Sequence, residues 1–219
     1  MPFTSVLGAS SVIKPGVCTS STRPTAPYVG QLVFETDTNL VAAYTASGWV
    51  YGSFTGGLVL VKSQTISGPV SSVTVSSVFS STYDRYLITT NGGAHSGGGA
   101  GCNLTLGSTT TGYYFATNYA KYTGTSGVFS GANTTSWQEV CYVTANGFSG
   151  SFMITNPFAA ARTLISGQNG GADTSASFNF STNVNGFLDN ATSYTAFTLT
   201  LTGGTVTGGT IRVYGLANS

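Results

Sequence analysis

The sequence predicts an all-β protein, an antiparallel β-sandwich of jelly-roll-like type preceded by a small N-terminal β-hairpin module. Three observations carry this. β-Branched and aromatic residues come in short runs with period-two alternation, the signature of half-buried strands. Thirty glycines punctuate those runs, at the short spacing that turns between antiparallel strands require. No segment sustains a helical period.

The elements follow in chain order. Residues 1–53 form the first domain and hold Pro15, Pro24 and Pro27 after Pro2, with few long strands. Here Leu32 to Phe34 is expected to pair with Leu40 to Tyr44 across a turn at Asp37 to Asn39, whose side chains can hydrogen-bond nearby backbone. Pro24 and Pro27 stiffen the entry, Gly30 ends it, and Trp49 covers the hairpin. A glycine-rich joint, Ser53-Phe-Thr-Gly-Gly57, leads into the second domain, residues 54–219. Strands are expected there near 58–66, 70–79, 84–91, 102–106, 112–118, 137–145, 150–155, 161–167, 174–181, 195–202 and 209–215, with one helical turn at Ser80 to Tyr83. Their number and rhythm suggest a sandwich or jelly roll. Val70 to Val78, Phe178 to Phe180 and Phe197 to Leu201 alternate cleanly, and Ile211 and Val213 share a face. The segments Asn91 to Gly101, Tyr119 to Thr135 and Gly167 to Asp173, rich in Gly, Ser, Thr and Asn, read as exposed loops. Loops on a rigid scaffold are where binding function usually sits.

Charge narrows the function classes. Only 6% of residues are charged, against roughly a quarter in an ordinary soluble domain. A surface of hydroxyls and amides makes contact with neighbours inexpensive, because few ions must be desolvated. This suits a subunit of a dense assembly better than a free enzyme. The seven cations (Lys14, Arg23, Lys62, Arg85, Lys121, Arg162 and Arg212) are scattered singly, so a nucleic-acid partner is not expected. No apolar stretch approaches the ~20 residues that span a bilayer, and no signal-peptide pattern opens the chain, so membrane insertion is not expected.

Candidate chemistry is sparse. Cys18, Cys102 and Cys141 show no metal-ligand or redox spacing; Cys141 reads as a small buried hydrophobe, and one Cys102–Cys141 bridge is conceivable. His95 is the single histidine, without a neighbouring acid to complete a triad; it reads as a loop residue or a ligand contact. Of the six acids, Glu35 and Asp37 fall on one strand face, but Asp37 also suits the turn. Glu139 is expected to pair with an arginine or line an interface, and Asp84-Arg85 to form a local ion pair at a strand start. A glycosidase would need two carboxylates facing across a sugar. No catalytic, cofactor or metal residue is expected. Tyr113, Tyr114, Phe115, Tyr119 and Tyr122 crowd one segment, as core or interface residues or as a sugar-stacking surface. The candidate glycan or host contacts are His95, Tyr119, Tyr122, Asn133 and Asn169. Sequons at Asn103, Asn133, Asn179 and Asn190 read as chance matches.

One pattern goes further. Thr22-Arg-Pro-Thr-Ala-Pro-Tyr-Val-Gly30, then Gln31-Leu-Val-Phe-Glu-Thr-Asp-Thr-Asn39, then Tyr44 and Gly48-Trp49 resembles a small module of phage tail fibres and minor tail proteins. Phe79-Ser-Ser-Thr-Tyr-Asp-Arg-Tyr-Leu-Ile88, Gly150-Ser-Phe-Met-Ile-Thr-Asn-Pro157 and Gly209-Thr-Ile-Arg-Val-Tyr-Gly215 look like the distal sandwich of such proteins. The resemblance implies a non-catalytic structural protein of the phage particle, a short tail fibre or tail adhesin. It implies a homotrimer, with other phage tail or capsid proteins as partners, and a host-surface glycan as ligand. Arg23, Pro24, Pro27, Phe34, Asp37, Tyr44 and Trp49 then become the docking residues. A capsid decoration or head fibre is the alternative, and a polysaccharide-degrading tailspike a more remote one. No coiled-coil or triple β-helical shaft is present, which argues against a long fibre.

Overall fold

A computed structural model of the chain describes residues 16–51, 57–171 and 180–216. It divides into two compact units, Met1–Gly56 and Gly57–Ser219. No α-helix occurs among the described residues.

The first unit is a four-stranded mixed sheet in the order β1 (Gly16–Cys18), β2 (Leu32–Glu35), β3 (Leu40–Thr45), β4 (Gly48–Tyr51). β1 runs parallel to β2 and the other pairs are antiparallel. The hairpin pairs the expected segments, with Val33 opposite Ala42 and Phe34 opposite Val41. Its turn carries Asn39 at φ 57°, a left-handed conformation that asparagine tolerates better than most residues. Val33 and Ala42 are buried partners. Trp49 extends the hairpin as a third antiparallel strand and meets Tyr44 edge-on, with ring centres 5.3 Å apart.

The second unit is a jelly roll. Its eight framework strands are β5 (Leu58–Thr65), β6 (Ser72–Val75), β7 (Arg85–Gly92), β9 (Gly99–Leu106), β12 (Trp137–Thr144), β13 (Gly147–Thr155), β16 (Phe197–Leu201) and β18 (Thr210–Leu216). The first pairs with the last, and the third with the sixth. The second pairs with the seventh, and the fourth with the fifth. This is the pairing of one long hairpin rolled up on itself, the double Greek key of a jelly roll. β5, β18, β7 and β13 make one layer and β6, β16, β9 and β12 the other. The layers join only where Tyr142–Thr144 pair with Gly147–Ser149; from Ser151 onward another strand takes the place of β12 beside β13.

Two hairpins are inserted in this frame. One comprises β10 (Tyr113–Lys121) and β11 (Ser126–Thr134); the other comprises β14 (Thr163–Gly171) and β15 (Phe180–Leu188). They widen the first layer to eight strands, in the order β11-β10-β15-β14-β13-β7-β18-β5. A short pair, β8 (Ala94–His95) with β17 (Val206–Thr207), closes one end.

Between the layers Tyr86, Ile88, Phe152, Ile154, Ile211 and Val213 face Leu104, Leu106, Cys141, Val143, Phe197 and Leu199, all buried. Each such side chain contributes roughly 1.5–3 kcal/mol on leaving water. Cys102 and Cys141 are directly opposite across β9 and β12, as two free thiols rather than a bridge. Burial, then the hydrogen bond with Cys102, pushes the Cys141 thiol well up, so it stays protonated and unreactive at neutral pH.

Several expectations change. Ser80 to Tyr83 is a turn, not a helical turn, and the Tyr86 hydroxyl staples it by accepting from the Ser80 N–H (2.8 Å) and donating to the Ser80 carbonyl (3.0 Å). The strand placed at 70–79 shortens to Ser72–Val75, because Ser77 turns left-handed at φ 57°. Of the strand placed at 174–181, residues 174–179 lie outside the described residues, as do Phe178, Asp173 and Asn179; the observed β15 begins at Phe180. The joint at 53–56 lies outside them too. The supposed loops at 119–135 and 167–173 are mostly β10, β11 and β14. Glycine is common to loops and to closely packed strands. Gly167 and Gly186 are strand residues whose added Cβ would stand 2.4 Å from the Phe152 Cβ and 2.3 Å from the Tyr114 carbonyl oxygen. Close approach of neighbouring strands, not a turn, calls for glycine there. Gly186→Ala is expected to lower stability by about 1–3 kcal/mol through overpacking, read as an earlier urea midpoint.

Candidate functional site

The N-terminal motif residues build a polar cluster around Glu35, which ends β2 and is fully buried. The Arg23 Nε donates to Glu35 Oε1, the Tyr51 hydroxyl donates to Oε2 at 3.0 Å, and the Thr38 hydroxyl donates to Oε2 at 3.2 Å. Arg23 also donates through Nη2 to the Tyr51 hydroxyl (2.8 Å), and its guanidinium lies 5.4 Å from the Tyr51 ring centre and 6.0 Å from that of Trp49. Asp37 sits in the turn and accepts from the Ser20 N–H and hydroxyl. The two carboxylates are therefore engaged separately and do not form an acid pair. Pro24 and Pro27 lie in the bend between Arg23 and the sheet.

Both acids are held below the ordinary carboxylate range. For Glu35 the cause is first the Arg23 hydrogen bond, opposed by desolvation; for Asp37 it is first the Ser20 hydroxyl and then its N–H. A depressed carboxyl stabilises the fold above its unfolded value and loses that contribution as pH falls through the folded value. The N-terminal sheet is expected to hold at neutral pH and to loosen below about pH 4, the ordinary carboxyl range. In a Trp137→Phe protein, where Trp49 is the remaining tryptophan, its emission reports that transition. Glu35→Gln should remove most of the acid dependence.

In the sandwich, β5 begins and β18 finishes at one end, since Leu58 pairs with Leu216. The opposite end gathers the 92–99 connection, the 122–125 turn, the β12–β13 turn and the 202–209 connection. Register shows this: Gly92 faces Phe148, Lys121 and Gly171 both face Phe180, and Thr210 faces Asn91.

The five candidate contacts separate. His95 and Tyr122 are at this loop end. The His95 ring is a structural clip: the Gly97 N–H donates to Nδ1 (3.0 Å), so the ring proton sits on Nε2, which bonds the Gly203 carbonyl (2.9 Å). Tyr122 is 68% exposed. Tyr119 points inward beside Gly127 and is half-buried. Asn133 is at the far end, where its Oδ1 accepts from the Gly112 N–H (2.9 Å). Asn169 is not a loop residue but is buried between the layers. Its Nδ2 donates to the Glu139 and Val140 carbonyls (3.2 and 3.1 Å). Those carbonyls belong to a β-bulge with Glu139 at φ 56°, and Asn103 accepts from the Glu139 N–H (3.2 Å). Asparagines thus hold the bulge from both sides.

Other polar expectations are revised likewise. The Glu139 carboxylate bonds Tyr142, not an arginine; burial and then this bond raise the Tyr142 hydroxyl pKa. Asp84 and Arg85 form no ion pair among the described residues, and Asp84 instead accepts from the Asn156 N–H through its carbonyl. Arg162 pairs with Asp189 (2.8 Å) and lies over Phe187. Tyr113 and Phe115 are core residues, while Tyr114 stacks on Phe187, ring centres 4.8 Å apart.

The outer face of the eight-stranded layer was not anticipated. Alternation and register place successive rows of side chains across it. Toward the chain-entry end one row reads Leu60, Tyr214, Leu87, Met153, Ser166, Asn185 and Ala116. The next row toward the loop end reads Ser63, Arg212, Thr89, Ser151, Gln168, Asn183 and Asn118. Two shallow depressions of about 450 and 550 Å³ lie here and share Ser151, Gln168 and Asn183; Tyr122, Ser149 and Ser181 line the larger, and no charged residue lines either. The sequence signal was Asn183-Val-Asn185, amides alternating with an inward valine in a strand.

Among the described residues no group of three His, Cys, Asp or Glu side chains could hold a metal ion. No protein-family model, curated protein or solved structure matches the chain.

Proposed function

We propose that the chain is a structural component of a bacteriophage virion, a short tail fibre or tail adhesin displayed on the particle. In this reading it assembles with copies of itself as a homotrimer, docks onto other tail or capsid proteins, and acts without catalysis. The observation that carries it is the pairing of a jelly roll, an architecture shared by viral capsid and lectin domains, with a chain in which only 6% of residues are charged. The separately built N-terminal sheet supports it. There Arg23, Trp49 and Tyr44 of the fibre-like motif join in one hydrogen-bonded and aromatic assembly, and Asp37 is fixed separately by Ser20. Supporting a non-catalytic role, four of the five described acids, Glu35, Asp37, Glu139 and Asp189, each have a structural partner. A capsid decoration or head fibre has the same requirements and remains the second reading.

Gold-labelled antibody against the chain, applied to purified particles in the electron microscope, tests this. Label at the tail tip or tail side is the expected result, label over the head would select the second reading, and unlabelled particles would refute both.

A further inference from the structure

Asparagine is depleted in strands, and a misplaced strand residue costs up to about 1 kcal/mol, so each strand asparagine calls for a reason. Among them Asn103, Asn133 and Asn169 have one, each bonding a backbone group. Asn118 and Asn183 differ. They are mid-strand, exposed on the outer face of the wide layer, directly opposite one another, and make no side-chain hydrogen bond among the described residues. Gln168, opposite Asn183 on the next strand, is the same. Three neighbouring strands therefore present a continuous row of amides, about 4.8 Å apart, that the fold itself does not use. A local preference broken without a structural gain is the mark of a functional surface.

The surroundings select the ligand. Each amide offers two donors and an acceptor, and Ser149, Ser151 and Ser181 add hydroxyls in the depression that Gln168 and Asn183 line. Tyr122 borders that depression with its ring exposed, a platform for the face of a sugar. No lysine, arginine or carboxylate lines it, which disfavours anionic and cationic ligands alike. We infer that the amide row Gln168, Asn183 and Asn118, flanked by the serines and by Tyr122, is a binding site for a neutral glycan. That the glycan would belong to a host surface rests on the virion reading above; the binding itself does not.

An array of neutral oligosaccharides of hexoses and N-acetylhexosamines, with sialylated and sulfated ones beside them, is the probe, applied to the full chain. Binding is expected to neutral members, weakened about tenfold or more by Gln168→Ala or Asn183→Ala, the equivalent of one or two neutral hydrogen bonds. Thr74→Ala, exposed on the other layer, should bind as the parent does. Exposed strand sites tolerate alanine, and unchanged circular dichroism verifies the fold of each variant. No binding to neutral glycans, preference for the charged ones, or undiminished binding by a Gln168→Ala/Asn183→Ala protein would overturn the inference. So would a change of oligomeric state in that double variant with glycan binding intact, which would make the face a subunit interface. Each of these results leaves the particle-labelling outcome untouched, so the two proposals fail separately.

Discussion

Trp137→Ala is expected to lower the unfolding free energy of the sandwich by about 3–5 kcal/mol, the range for losing a large buried aromatic. Trp137 opens β12 and has no exposed surface. Its indole meets Tyr113 edge-on at 5.1 Å and directs Nε1 at the Phe187 carbonyl, 3.3 Å away. Tyr113 and Phe187 belong to the two inserted hairpins, so the one side chain fastens both to the framework. Neighbours anchored in strands cannot close the resulting void. Urea unfolding followed by far-ultraviolet circular dichroism would show an earlier midpoint, and the melting temperature should fall by about 2–4 °C per kcal/mol for a domain of this size. A loss below about 1 kcal/mol, the size of an ordinary surface effect, would mean that the hairpins are held some other way.

Asn169→Leu should cost about 2–4 kcal/mol, since it strips partners from two buried carbonyls at roughly 1–3 kcal/mol each. The cost falls below that sum because the Asn169 Oδ1 is itself buried without a partner among the described residues, so leucine relieves one penalty while creating two. Asn169→Asp should be at least as harmful, placing carboxylate oxygens against the same carbonyls without the amide donors. Urea midpoints of the two variants check this. A near-neutral aspartate variant would contradict the bulge clamp.

How much of this was legible in the residues depends on the interaction concerned. Strands whose inward positions are Val, Ile, Leu or Phe, such as Phe197–Leu201 and Thr210–Leu216, follow from alternation because burial of one face imposes it. The hairpin at Leu32–Thr45 was legible for a second reason, the Asp and Asn of its turn. The inserted strands were legible only in part, through the strands expected near 112–118 and 161–167, which fall within Tyr113–Lys121 and Thr163–Gly171 except at their first residues. Ser126–Thr134 and the 167–171 end of the third inserted strand are mostly Gly, Ser, Thr and Asn, a composition shared by loops and by strands packed too closely for side chains. Only the neighbouring strand decides between them, as Phe152 does for Gly167.

The candidate site divides in the same way. Arg23, Asp37, Tyr44 and Trp49 could be picked out because the motif is local, whereas their partners Glu35, Tyr51 and Ser20 required the sheet to form. Asn169 looked like a loop contact and is an interior clamp; Gln168, one residue earlier, faces outward and belongs to the amide row. A shift of one position along a strand exchanges core for surface, and a loop assignment erases that distinction.

Mass spectrometry of purified particles, separated into tails and capsids, tests the central claim most directly. The expected result is peptides of this chain in the tail fraction, at a copy number divisible by three relative to a tail protein of known stoichiometry. Absence from both fractions, with the chain recovered free in the lysate, would contradict the account.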